Sequence, residues 1–295
     1  MRNIVALAIV CFCLTAAAQK PIIIDHAVRL MSKDTQPSYQ FEIPQTTLKD
    51  VEKDWLKYVS TGSKGKATVV NGENLQPAAV NSNISAKPFN VYSKVLETSE
   101  GIRITAWFTE NDTVFLSKAL NSDQDLAIQK YLHDFAVTEY KAAVFTELKN
   151  EQEKLKALEK TLEGLYKDEE KASKKISESN RSIQKSNDNT SKNNGDIQNM
   201  SYKISDQKGM VERTASDANA NKGAKQTLKD LENQRKSLQK SNETEAKNID
   251  NMNKQIREQE RIISSLKEKQ KETAGQIETQ KAKAKEVQLK LDGIQ

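Results

Sequence analysis

The sequence predicts an α+β head followed by a long antiparallel helical hairpin. In the head, a two-layer sandwich, helices cover an antiparallel sheet; in the hairpin, two helices pair as a coiled coil. The first observation behind this prediction is that bulky residues are segregated. All five prolines lie at or before Pro88, and both tryptophans and all seven phenylalanines lie at or before Phe145. Beyond that point Tyr166 and Tyr202 are the only aromatic residues. A globular core uses aromatic bulk, whereas a two-helix seam needs only aliphatic side chains.

A seven-residue apolar repeat in the second half of the chain is the second observation. Its first frame consists of Leu148, Leu155, Leu162, Ile176, Ile183, Ile197, Ile204 and Val211. Its second frame consists of Leu228, Ile249, Ile256, Ile263, Ile277 and Leu291. The third observation is that Val211 and Leu228 are 17 residues apart, which is not a multiple of seven. One uninterrupted helix would keep the seven-residue repeat in phase, so we predict a turn near residues 216–223.

The N-terminal residues 1–18 are typical of an export signal. Arg2 supplies a positive start, Ile4–Thr15 an apolar stretch, and Ala16–Ala18 a small-residue cleavage site before Gln19. The alternative, a transmembrane anchor, would need about 20 apolar residues. We therefore expect an exported protein, periplasmic or extracellular, with no transmembrane segment after cleavage.

Both cysteines, Cys11 and Cys13, lie in this signal segment. Cleavage would leave a chain without cysteine, which excludes disulfides and thiol chemistry. Val10 and Phe12 precede the cysteines where a lipoprotein signal would need a small residue, so we do not expect lipidation.

The predicted head, residues 19–140, begins with strands and one helix. Pro21–Met31 and Tyr39–Ile43 are expected to be strands, the second because its apolar residues alternate. A helix should begin at Thr47, with Asp50 in its first turn, and carry an apolar stripe that includes Trp55. A short strand is expected at 67–70, and the Asn-, Ser- and Pro-containing stretch 71–87 is expected to be a loop.

A β-hairpin is the clearest element in the rest of the head. Strands Phe89–Thr98 and Ile102–Thr109 alternate well around Ser99–Gly101. Val114–Leu116 should form a further strand, and Ser122 with Asp125 should cap a helix that runs into the arm.

The predicted arm, residues 141–295, has a seam that is rich in leucine near the head and polar farther out. In one antiparallel register Asn193 faces Asn242 and Thr190 faces Glu245, and a buried polar pair of this kind fixes register at a cost in stability. A register shifted by one heptad gives plausible layers as well. Two alternatives stay open. The Ser- and Asn-rich residues 173–199 could be disordered, or a second turn at 187–195 could give three helices.

No catalytic, cofactor-binding or metal-binding constellation is evident, so we expect a protein that is not an enzyme and needs no cofactor. His26 and His133 are the only histidines, and a surface or satisfied role is expected for both. Trp55 and Trp107 are expected in the core. The run 187–196 fails as a calcium loop, because Thr190 would occupy the first ligand position.

Charge differs between the two parts. Residues 141–295 hold 32 Lys and Arg against 26 Asp and Glu, whereas residues 19–140 hold 13 against 15. Because the basic residues of the arm are mixed with acids at helical spacing, they indicate a solvated helix surface rather than a nucleic-acid site. We expect protein partners, with a homo-oligomer left open.

Four segments of the chain carry a resemblance: Glu42–Pro44, Asp50–Trp55, Val91–Tyr92 and Leu132–Val137. In these segments the chain resembles a group of uncharacterised exported bacterial proteins with a small α/β head followed by a long coiled coil. The resemblance implies no known activity and lends no functional residue. The outline is also similar, by shape only, to the Skp-type periplasmic chaperones, which carry helical hairpin arms on a small β body. In that family the hairpin is inserted within the body, whereas here the chain ends at Gln295, just after the seam.

Two functions follow as expectations. The first is a non-enzymatic structural or interaction protein of the bacterial cell envelope, which uses the arm as a spacer or docking rod. The alternative is a periplasmic holdase-like chaperone whose helical arms enclose unfolded clients.

Overall fold

A computed structural model describes residues 21–295, so the predicted signal peptide, residues 1–18, lies outside the described residues. The chain divides into two compact units. The first, here called the head unit, comprises the described residues up to Leu155 together with Gln280–Gln295. The second, the helical unit, comprises Lys156–Thr279.

Residues 21–295 form six strands and three helices. The strands are β1 (Asp25–Met31), β2 (Asp34–Ile43), β3 (Thr68–Val70), β4 (Glu73–Ala79), β5 (Phe89–Glu97) and β6 (Ile102–Thr109). The helices are α1 (Leu48–Val59), α2 (Ser122–Arg213) and α3 (Ala218–Gly293). No helix of the described chain is both long and apolar enough to cross a membrane.

The strands form one antiparallel sheet in the order β1-β2-β6-β5-β4-β3. The predicted hairpin is confirmed as β5 and β6, with Tyr92 opposite Trp107. The two outermost strands differ in length, since β1 has seven residues and β3 has three.

Helix α1 begins where its sequence predicts. The side chain of Thr47 accepts a hydrogen bond from the backbone N–H of Asp50 at 3.2 Å, which satisfies one of the free donors at the helix start. Its buried stripe is Val51, Trp55 and Val59. The Trp55 Nε1 donates to the Ser93 hydroxyl of β5 at 2.8 Å, so burial of this indole leaves no unsatisfied donor.

The main core lies on one face of the sheet. From the sheet it takes Tyr39, Phe41, Ile43, Phe89, Val91, Ile102, Ile104 and Phe108. From the head-unit parts of α2 and α3 it takes Ile128, Leu132, Phe135, Tyr140, Val144, Leu148 and Val287, and Ile294 joins the core from just after the end of α3. Glu151 adds a polar link between these helix segments. Its carboxylate accepts hydrogen bonds from Lys154 at 2.8 Å and Gln280 at 2.6 Å, and these bonds, in that order, lower its pKa to about 2.

The opposite face of the sheet carries a second, smaller cluster. Met31, Tyr92, Trp107 and Phe115 are buried there, with Leu75 packed against them. Met31 comes from the tip of the β1–β2 hairpin, which therefore folds over this face.

Polar contacts fix the hairpin tip in this position. Ser32 donates to the buried carboxylate of Glu73 through its backbone N–H at 2.8 Å and its hydroxyl at 2.6 Å. Lys33 forms an ion pair with Asp112 at 2.9 Å. The pKa of Asp112 is lowered chiefly by this lysine, with Asn90 and Tyr92 adding hydrogen bonds to the same carboxylate.

Two predictions for the head were wrong. The stretch 71–87, expected as a loop, contains strand β4. Its buried residues include the polar Glu73 and Gln76, and its pairing with β5 is irregular between Gln76 and Ala79, so no apolar alternation marks it. The strand expected at Val114–Leu116 is reduced to a single bridge between Thr109 and Phe115.

Helix α2 is continuous over 92 residues. The alternatives of a second turn at 187–195 and of a disordered stretch at 173–199 are therefore wrong. A short break, 214–217, separates α2 from α3. Asp217 caps α3 by accepting hydrogen bonds from the backbone N–H groups of Asn219 and Ala220, at 3.0 and 3.1 Å.

Two glycines with positive φ provide a matched test of the head. Gly101, at φ +146° in the β5–β6 turn, has no room for a side chain, because an added Cβ would lie 2.3 Å from the Ile43 carbonyl oxygen. Gly72, at φ +79° in the β3–β4 turn, has open space around the same position. Gly72→Ala should cost about 1–2 kcal/mol from backbone strain alone, and Gly101→Ala about 3 kcal/mol or more. Calorimetric unfolding measures both costs, and equal costs would contradict the close approach of the turn to β2.

Candidate functional site

A buried carboxylate joins three elements of the head unit. Asp125, in the first turn of α2, is 2% exposed. Its Oδ1 accepts a hydrogen bond from the Tyr39 hydroxyl of β2 at 2.8 Å and lies 2.7 Å from His26 Nε2 of β1. Its Oδ2 accepts from Gln129 Nε2 at 2.8 Å. We call Asp125, His26, Tyr39 and Gln129 the Asp125 cluster.

The electrostatics of this cluster keep Asp125 charged. Burial by itself raises the pKa of the carboxyl, but the hydrogen bonds from His26, Tyr39 and Gln129 outweigh burial, so the pKa lies below its ordinary value. An ionised carboxylate can only accept hydrogen bonds, so His26 Nε2 carries a hydrogen. Burial, followed by the hydrogen bond to Asp125, raises the pKa of the Tyr39 hydroxyl, which therefore remains a donor.

The structural role of the cluster is to fasten the edge of the sheet. Through His26 and Tyr39, the start of α2 holds both β1 and β2. The ring of His26 also contacts that of Tyr39, with centroids 5.2 Å apart. The His26 side chain is 41% exposed, so the Asp125 cluster is partly accessible to solvent.

The sequence predicts that Ser122 and Asp125 cap α2, and this prediction is wrong. Asn121 caps α2 instead, because its Oδ1 accepts from the backbone N–H groups of Asp123 and Gln124 at 3.0 and 3.2 Å. Asp125 lies too far into the first turn to cap the helix, and its carboxylate points to His26 of β1 and Tyr39 of β2. The pairing of His26 with Asp125 spans 99 residues, so no local spacing could have revealed it.

The other residues considered from sequence lie apart from this cluster. His133 lies half-buried on α2, and Trp55 and Trp107 are buried, as expected. Trp55 contacts Phe135 in the main core, with ring centroids 5.1 Å apart, whereas Trp107 belongs to the second cluster. The run 187–196 is helical. Across residues 21–295, no three His, Cys, Asp or Glu side chains are grouped so as to hold a metal ion.

The helical unit contains a polar layer. Asn193 Nδ2 donates to Asn242 Oδ1 at 2.9 Å, the pair that the sequence analysis places face to face. Asn189 Nδ2 donates to Glu245 Oε1 at 3.0 Å. Thr190, expected opposite Glu245, instead donates through its hydroxyl to the Ser186 carbonyl at 2.9 Å. Hydrogen bonds from Ser186 and Asn189 lower the pKa of Glu245, in that order.

Two tyrosines on the surface of the helical unit stand out. Tyr202 is 75% exposed and Tyr166 is 56% exposed. They are the only aromatic residues of this unit, and aromatic side chains are enriched where protein partners dock. A lone exposed apolar residue is ordinary, so these positions become informative only with the surface around them.

Comparison of the chain with protein-family models and with curated proteins gave no match in either case.

The depressed pKa of Asp125 predicts a specific dependence on pH. Because the pKa of an unfolded aspartate is about 3.9, the charged carboxylate stabilises the head above that pH, and its contribution is lost as pH falls below about 4. Asp125→Asn should cost about 2–4 kcal/mol at neutral pH, since it places an amide N–H₂ against the donors of the cluster. Its stability should also vary less between pH 4 and pH 2. Urea unfolding followed by near-ultraviolet circular dichroism measures both effects.

Asp123→Asn is the matched control for this prediction, because Asp123 is exposed in the same helical turn. It should leave stability within about 0.5 kcal/mol of the original. If the two variants had equal stabilities and equal pH profiles, the Asp125 cluster would not hold the edge of the sheet.

Proposed function

We propose that this protein is a non-enzymatic interaction protein of the bacterial cell envelope. In this proposal α2 and α3 pair as an antiparallel coiled-coil hairpin, and the hairpin serves as a docking rod for a protein partner. The observation that carries the proposal is a set of hydrogen bonds between the two long helices of the helical unit, whose residues are otherwise mostly exposed.

The hydrogen bonds of the helical unit support antiparallel pairing. As residue numbers rise along α2, the numbers of their partners fall along α3. The pairs are Glu169 with Gln270, Asn189 with Glu245, Asn193 with Asn242, and Gln207 with Ala224. The distances are 2.8, 3.0, 2.9 and 3.0 Å respectively. Parallel helices would give partner numbers that rise together.

The residues buried in the seam support a role in recognition. They are Ala172, Ser186, Ile204, Gln270, Thr273 and Ile277. Three of these six are polar, and polar seam residues fix register while adding little stability. A seam of this kind defines which surfaces of the two helices face outward, which is what a docking rod requires.

The outer surface supports a protein partner rather than a nucleic acid. Most of its ion pairs, such as Lys167 with Glu163 and Lys254 with Asp250, join residues of the same helix, so positive and negative charges are interspersed along its surface. Mixed charge of this kind keeps a helix solvated and gives no continuous basic track for phosphates. Tyr166 and Tyr202 are the aromatic anchors that this surface offers.

The hairpin part of the proposal predicts short distances between the helices. Spin labels on Lys192 and Lys240 should lie within about 25 Å of each other, whereas one uninterrupted helix over those 48 residues would separate them by roughly 70 Å. A second labelled pair, Lys174 with Glu260, should also be close. All four positions are exposed, so labelling should not disturb the seam.

Dilution with unlabelled protein is the control for this measurement. Distances that persist on dilution come from within one chain, as the proposal requires. Long distances for either pair, or short distances that vanish on dilution, would contradict a hairpin within one chain.

The docking part predicts a partner that is recognised at defined positions. A photo-crosslinking residue at Tyr202 or Tyr166 in intact cells should give a small number of discrete adducts, and alanine at the other tyrosine should reduce their yield several-fold. Exposed positions Lys203 and Lys167, each next to a tyrosine but on another side of the helix, are the matched controls.

The holdase alternative predicts a different result from the same experiment. Unfolded clients would give heterogeneous adducts at tyrosines and lysines alike, and the purified protein would suppress aggregation of an unfolded outer-membrane protein at near-equal molar ratio. That combination would contradict a docking rod.

A further inference from the structure

The edge strand β1 is exposed and carries apolar side chains. It is seven residues long and, among residues 21–295, pairs only with β2. Val28 and Leu30 on this strand are 65% and 71% exposed. An exposed edge of this length, with apolar side chains and without proline or lysine, is a template for pairing with another strand.

The charges of β1 form the second part of the argument. Asp25 provides an acidic and Arg29 a basic side chain, and both are exposed. Because side chains alternate along a strand, they lie on the same face, the one that also carries Met31. Among the described residues neither side chain forms an ion pair, although other charged side chains of the head unit do, such as Arg103 with Glu42 at 2.6 Å.

One register of two antiparallel β1 strands satisfies both charges at once. When Ala27 faces Ala27 of a second copy, Asp25 of each chain lies directly opposite Arg29 of the other. The same register places Ile24 opposite Leu30 and His26 opposite Val28. A shift of one residue, with Val28 facing Val28, instead sets Asp25 against Met31 and leaves both charges unpaired.

We propose that β1 is a self-association surface, and that two copies of this chain pair through antiparallel β1 strands about a twofold axis at Ala27. The interface joins two six-stranded sheets into one sheet of twelve strands. Its occupant is a second copy because the strand is complementary to itself in charge, and a twofold contact is the commonest way for identical chains to close. Cross-strand pairs of opposite charge stabilise such a contact and like charges directly opposite each other destabilise it.

The Asp125 cluster prepares β1 for this role. His26 lies in the middle of the paired segment, and its bond to Asp125 holds the strand in its extended form before a partner arrives. The other edge strand, β3, provides the contrast. It has three residues, and although Val69 is 72% exposed, the strand is too short to offer several backbone groups in register.

Charge reversal tests the register. Sedimentation velocity over a concentration series, on the chain beginning at the predicted mature residue Gln19, should show dimers. Asp25→Arg and Arg29→Asp should each weaken the dimer by about tenfold or more, because each sets two like-charged pairs opposite each other. An equimolar mixture of the two variants should restore dimerisation, since every pair in the mixed dimer is then of opposite charge. The double variant should dimerise like the original.

Placing a lysine on one or the other edge strand tests where the dimer interface lies. Val28→Lys should weaken the dimer about tenfold without loss of stability, because Val28 is exposed, and Val69→Lys on β3 should leave the dimer unchanged. A chain that remains monomeric at millimolar concentration would overturn the proposal. Dimers that are insensitive to Val28→Lys and to charge reversal would overturn it as well, since the contact would then lie elsewhere. Failure of the mixed variants to associate would overturn the Ala27 register.

Discussion

The buried carboxylate of Asp125 is the interaction on which the head unit depends. A charge in this position is tolerated only when its lone pairs are occupied, and here His26, Tyr39 and Gln129 occupy them. Two of these donors belong to neighbouring strands and one to the helix itself. The need to satisfy a single charge therefore sets the position of α2 against the edge of the sheet, and the aromatic core around Tyr39 packs within that frame.

The same principle of satisfied polar burial explains the second face of the sheet. Glu73 is buried on β4, and Ser32 and Lys94 supply its partners. Because Ser32 belongs to the tip of the β1–β2 hairpin, this contact draws the hairpin across the sheet and covers Trp107. On each face of the sheet, hydrogen bonds to one buried carboxylate hold in place a segment that is distant in sequence. Replacing either carboxylate would expose apolar surface as well as remove hydrogen bonds.

Elements whose pattern is local could be predicted from the sequence, and contacts that join distant segments could not. The Thr47 cap and the β5–β6 hairpin follow from neighbouring residues, so both were anticipated. Strand β4 was missed because its buried positions include Glu73 and Gln76, which carry no apolar signal. The candidate site was missed for a similar reason, since only the fold brings His26 to Asp125. In the helical unit the pairing of Asn193 with Asn242 was anticipated, because seven-residue spacing extends a local pattern over many turns. Thr190 was expected to face Glu245, but its hydroxyl donates to the Ser186 carbonyl of its own helix.

The two tryptophans give the head unit an optical signature of its own. The Trp55 indole N–H is hydrogen-bonded to Ser93, whereas among the described residues the buried Trp107 N–H has no partner and the Lys94 ammonium lies 5.8 Å from its ring centre. Because indole emission shifts with the surrounding field, the two rings should emit at different wavelengths. The helical unit contains no tryptophan, so tryptophan emission reports on the head unit, whereas the helical unit supplies most of the helical residues that give the far-ultraviolet circular dichroism. Unfolding of the head unit can therefore be followed by tryptophan emission and unfolding of the helical unit by far-ultraviolet circular dichroism, without an added dye.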